Sequence, residues 1–85
     1  MQIEKQVLAR WESQRGRYWV EVYAEALPDC AAAFSYRADN GGGYLGHCSP
    51  EVALQHAARQ AGFNPSKCQR VYFNETLARQ LAALV

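Results

Sequence analysis

The stretch RYWVEVYAE, Arg17 to Glu25, decides how this chain folds. Tyr18, Val20, Val22 and Ala24 alternate with Arg17, Trp19, Glu21, Tyr23 and Glu25. Successive side chains of a strand point to opposite sides, so a period of two predicts a β-strand with one apolar face and one mixed face. A helix would spread the same apolar residues around its circumference. Leu27-Pro28-Asp29 follows as a turn signal.

Downstream, CAAAFSYRA (Cys30 to Ala38) reads as a second strand with Phe34 and Tyr36 on its core face. Its alanines are poor strand formers, which weakens the pattern. Asp39-Asn40-Gly41-Gly42-Gly43 reads as a break in which Asn-Gly permits a tight turn, with at most a short strand at Tyr44-Leu45. Upstream, residues 3–12 admit two readings. Ile3, Val7, Leu8 and Trp11 fit a helical stripe, whereas Val7, Ala9 and Trp11 alternate as in a strand. The strand is preferred narrowly: no N-cap marks a helix start, and Ser13-Gln14-Arg15-Gly16 makes a hairpin loop into Arg17.

Residues 50–61 carry the clearest helical pattern. Ala53, Leu54, Ala57, Ala58 and Ala61 share one face, and their small size lets the helix lie close on a sheet. Gly62 ends this helix and Pro65 prevents its resumption. QRVYF, Gln69 to Phe73, is a further short strand. Asn74 is a good N-cap for a last helix with Leu77, Leu81 and Leu84 on one side. The expected fold is therefore α+β: one domain spanning 1–85, with a small antiparallel sheet in β-β-β-α-β-α order and the alanine-rich helix packed on one face.

Composition narrows the function. Among 85 residues, 49% hydrophobic and 20% charged content is that of a globular chain rather than a disordered one. Nine Lys and Arg against eight Asp and Glu leave a net charge of +1, far from the basic excess usual in nucleic-acid binders. MQIEKQVLAR holds no long apolar run, and no segment approaches the ~18 apolar residues of a membrane span, so a signal peptide and a membrane partner are not expected. Cys30, Cys48 and Cys68 are odd in number and form no CxxC, which fits reduced thiols in a cytosol better than a disulfide framework.

Three motifs invite a chemical reading. In GHCSPEVALQHAARQ, Cys48 adjoins His47. Ser49, Pro50 and Glu51 are already explained as N-cap, first-position proline and first-turn acid. A cysteine nucleophile needs a base within hydrogen-bond reach. Neighbouring side chains in an extended segment point apart, and His56 lies roughly 10–12 Å farther along a helix rising 1.5 Å per residue. The pair reads as a helix entrance. Cys30, His47, Cys48, His56 and Cys68 match no paired zinc-ligand spacing. Gly41, Gly43 and Gly46 spell G-x-G-x-x-G, but without the parallel βαβ setting and downstream acid that a dinucleotide site requires. No catalytic residue, cofactor or metal is expected.

The mixed face of the first strand is the remaining candidate. Trp19 and Tyr23 stand there among Arg17, Glu21 and Glu25. Either the last helix covers these rings, or they bind a partner; the sequence leaves both open. Exposed, they suit a protein interface, where Trp, Tyr and Arg act as anchors. They would also suit base stacking, except that Glu21 and Glu25 repel phosphates.

In layout the chain resembles small bacteriophage anti-CRISPR proteins. The features that carry this are the hairpin ESQRGRYWVEVYAE, a further strand, the helix SPEVALQHAARQAG and the late strand QRVYF. Those proteins are compact α+β inhibitors that block a CRISPR effector by binding it. The resemblance spans most of the chain in architecture, and with no shared motif it transfers no residue role. GGYLGHCSPEVALQHA is also similar to the glycine-aromatic, S-x-E-x-A-L helix entry of HicB-type antitoxins. The resulting expectation is a non-enzymatic inhibitor or adaptor of phage or mobile-element type that binds a protein, with a CRISPR effector subunit as the specific candidate. The alternative is a single-stranded nucleic-acid-binding or antitoxin-like module. A homodimer is left open.

Overall fold

The computed structural model describes residues 3–13, 18–26, 32–39, 41–47, 55–56, 58–59 and 68–83. Five strands form one antiparallel sheet: β1 (Ile3–Ser13), β2 (Trp19–Ala26), β3 (Ala32–Ala38), β4 (Gly41–His47) and β5 (Cys68–Phe73), in the spatial order β4-β3-β2-β1-β5. One helix, α1 (Glu75–Ala82), follows. The class is α+β, as the patterning indicates, and mostly strand.

β2 behaves as its alternation requires. Val20, Val22, Ala24 and Ala26 are buried, while Trp19, Glu21, Tyr23 and Glu25 are half-buried on the other face. Tyr18 departs from the expectation that placed it in the core. The strand begins one residue later, and the Tyr18 backbone instead closes the hairpin. Its N–H donates to Ser13 Oγ at 3.1 Å, and its carbonyl accepts from the Ser13 N–H at 2.9 Å. The ring lies at the end of the sheet and is 54% exposed.

Residues 3–13 form a strand, and its irregularity explains the ambiguous sequence. The pairing of β1 with β2 shifts between Val7 and Ala9, so Leu8 is an extra residue with no opposite number. Leu8 and Ala9 are both fully buried although adjacent. A β-bulge thus breaks the period of two and imitates helical spacing.

The expected β-β-β-α-β-α order is roughly kept, and the short strand allowed at Tyr44-Leu45 is a full fourth strand. The glycines taken for a turn lie in β4, where Gly41, Gly42 and Gly43 pair with Ala38, Arg37 and Tyr36. Ala38 and Gly41 pair with each other at the start of β4. The glycines have a steric reason. A Cβ on Gly42 would sit 2.7 Å from the Tyr36 carbonyl oxygen, and one on Gly43 would sit 3.1 Å from the Tyr36 ring. Gly46, at φ +91°, stands beside the register shift between Phe34 and Ser35.

β4 and β5 occupy opposite edges and run in the same direction. Between them in sequence, Gln55, His56, Ala58 and Arg59 are helical. The rest of 50–61, and with it the expected packing of the alanine face, lies outside the described residues, as do Arg17, Cys30, Cys48 and Leu84.

α1 starts where Asn74 predicts. The Asn74 side-chain oxygen accepts from the Leu77 N–H at 3.0 Å, and its backbone N–H donates to the Leu8 carbonyl at 2.8 Å. The cap therefore also fastens the helix to the bulge in β1. Leu77 and Leu81 are buried in one cluster with Leu8, Val22, Ala24, Ala26 and Phe34. Burial of side chains this size contributes roughly 1.5–3 kcal/mol each. α1 thus lies on the Val22–Ala24 side of the sheet, which leaves Trp19 and Tyr23 on the side away from it.

Candidate binding face

The register assembles the outer face row by row. One row runs Gly42, Arg37, Glu21, Arg10 and Tyr72 from β4 to β5; the next runs Tyr44, Ser35, Tyr23 and Val7. Trp19 stands opposite Glu12 at the hairpin end. Of the expected site residues, Trp19, Glu21, Tyr23 and Glu25 share this face and are half-buried. Tyr44 and Tyr72 extend it toward both sheet edges, at 62% and 47% exposure.

Arg10 organises the hairpin half. Its Nε donates to Glu12 at 2.8 Å and its Nη1 to Glu21 at 2.8 Å. Its guanidinium lies over the Trp19 ring, 4.8 Å from the centroid. The Glu12 hydrogen bond first, then the charges of Glu21 and Glu12, hold the Arg10 pKa above its ordinary value against the opposing effect of burial. Arg10 therefore stays cationic while binding two carboxylates and a ring. A planar fork is the side chain that can do all three at once. Sequence reasoning missed Arg10 and Glu12, although their alternation with Ala9 and Trp11 was the available signal.

The other half differs. Lys5 Nζ lies 5.5 Å from the centroid of the Tyr23 ring. Lys5, Gln6, Val7, Tyr23 and Arg37 line an open depression of about 370 Å³. Lys5 and Arg37 are exposed, and neither forms an ion pair among the described residues. The face thus has a charge-compensated end at Trp19 and a cationic end around Tyr23.

No polar or charged side chain is fully buried among the described residues. Nor do any three His, Cys, Asp or Glu among them converge as a metal site. The G-x-G-x-x-G glycines lie in an edge strand of an antiparallel sheet, not in a strand-to-helix phosphate loop. No helix among the described residues is long and apolar enough to cross a membrane. No family model matches the chain, and no curated protein or solved structure matches it significantly.

Proposed function

We propose that the chain is a non-catalytic binding protein that docks the outer face of its sheet on another protein, as an inhibitor or adaptor of phage or mobile-element type. One observation carries this reading: Trp19 and Tyr23 sit half-buried on the face away from α1, set among charged side chains. Anchoring aromatics with a polar surround are the usual anatomy of a protein interface. In its most specific form, which rests on resemblance of architecture alone, the partner is a CRISPR effector subunit in the bacterial cytoplasm.

The rival reading is a single-stranded nucleic-acid platform. Trp19, Tyr23, Tyr44 and Tyr72 on one face favour it, since each ring can stack a base. Glu12, Glu21 and Glu25 weigh against it, because a phosphate chain would pass over them. The protein reading is preferred on that ground.

The test uses Trp19→Ala and Tyr23→Ala. Each is scored for melting temperature and for capture of the partner from a bacterial lysate. A plaque assay on a host with CRISPR immunity examines the specific form. Truncating an anchor typically costs about 2 kcal/mol or more, roughly 30-fold in affinity. Capture should fall more than tenfold with the fold intact, and Cys48→Ser should leave it unchanged. Undiminished capture by both folded aromatic variants would reject the face. Tight, steeply salt-dependent binding of oligothymidylate would favour the rival.

A further inference from the structure

The depression around Tyr23 lies on the outer face, and its chemistry is specific. Lys5 on β1 and Arg37 on β3 flank Tyr23 on β2, so two cations stand on either side of one ring. Lys5 is already drawn over that ring. Glu21 stands opposite Arg37 in register, yet its carboxylate is taken by Arg10 at 2.8 Å. Arg10 therefore keeps Glu21 from neutralising Arg37, and the depression retains its positive charge.

We propose that this depression receives a single acidic side chain of a protein partner, its carboxylate between Lys5 and Arg37 and its stem against Tyr23. The proposal rests on the outer face being the protein-binding surface, and it adds what that surface recognises. The carboxylates nearby decide between a lone acid and a polyanion. Glu21 and Glu25 flank Tyr23 two residues away on the same strand, about 6.7 Å to each side at strand rise. A repeating phosphate chain threaded through Lys5 and Arg37 would bring further charges over one or the other. A solitary Asp or Glu side chain brings one charge only, and the Glu21 beside Arg37 is already held by Arg10. Arg37 can grip a carboxylate with two parallel N–H groups, while Lys5 supplies a point charge.

The experiment titrates the isotope-labelled protein by NMR with a capped pentapeptide bearing one central glutamate. The same peptide with glutamine and a thymidine pentanucleotide serve as comparisons. The expected result is saturable shifts confined to Lys5, Gln6, Val7, Tyr23 and Arg37 with the glutamate peptide alone. These weaken at least tenfold in the Lys5→Gln, Arg37→Gln double variant and shrink as salt rises. Thr76→Ala, exposed on α1 on the other side of the sheet, should leave them within twofold. Equal response to the glutamine peptide, no loss in the double variant, or a stronger response to the pentanucleotide would each overturn the proposal. Failure here, with partner capture still lost in Trp19→Ala, would leave the protein-binding face standing and remove only its acidic specificity. Failure of both would remove the face as well.

Discussion

Replacing Arg10 by alanine tests whether the outer face is organised or merely decorated. The variant loses two ion pairs at 2.8 Å and the stacking on Trp19. The side chains of Arg10, Glu12 and Glu21 retain 30%, 33% and 20% of their exposure, so solvent screening keeps each pair to about 0.2–1 kcal/mol. The cation–π contact adds about 0.5–1 kcal/mol at such a site. Together the loss is about 1–3 kcal/mol, which in a domain of this size lowers Tm by roughly 4–24 °C. Urea denaturation at low salt and at 1 M NaCl separates the two parts. The Debye length falls to about 3 Å at 1 M, so the ion-pair share should shrink while the stacking share remains. Arg10→Lys keeps the charge but not the fork and should recover less than half of the loss. Because the Arg10 pKa is raised, its contribution is fully present below the ordinary value and is lost only as pH rises through the raised one. The deficit of Arg10→Ala should therefore persist through neutral and mildly alkaline buffers. A deficit below about 0.3 kcal/mol, or one indifferent to salt, would refute the network.

Leu77→Ala should cost about 2–5 kcal/mol in urea denaturation, since the side chain is buried against the sheet, whereas exposed Thr76→Ala should stay within about 0.5 kcal/mol. Asn74→Ala removes the bond to the Leu77 N–H and should cost about 1 kcal/mol, with faster amide exchange in the first turn of α1 as its local signature. Gly42→Ala places a Cβ 2.7 Å from the Tyr36 carbonyl oxygen and should loosen β4. Hydrogen exchange should then rise along Gly41–His47 while β1 and β2 keep their protection.

The fold was legible where one local signal determined the outcome. In β2 every second residue from Val20 to Ala26 is buried, so the period of two survives into the structure. Asn74 caps α1 because its side chain needs nothing beyond the next turn of helix. Legibility failed where the decisive neighbour came from another strand. Leu8 and Ala9 are buried together because a bulge set by pairing with β2 turns both inward. Gly41 to Gly43 carry the composition of a turn, yet β3 recruits them as an edge strand whose lack of side chains makes room for Tyr36. Both failures have one physical origin. Strand membership is decided by the partner's hydrogen bonds and side chains, whereas turn and helix signals are carried within a few residues.

The same distinction governs the candidate face. Trp19, Glu21, Tyr23 and Glu25 were visible because one strand aligns them. Arg10, Lys5 and Arg37 lie on other strands, and only the register brings them beside those four. Their addition changes what the face is. Read from β2 alone, it is a pair of rings with two carboxylates and would favour a cationic partner. With its neighbours in place, Glu21 is bound by Arg10, and the uncompensated charge moves to Lys5 and Arg37 around Tyr23. The sign of the recognised group is therefore reversed by cross-strand pairing. Arg10→Ala, by freeing Glu21 to turn toward Arg37, should weaken the acidic preference although Arg10 itself lines no part of the depression.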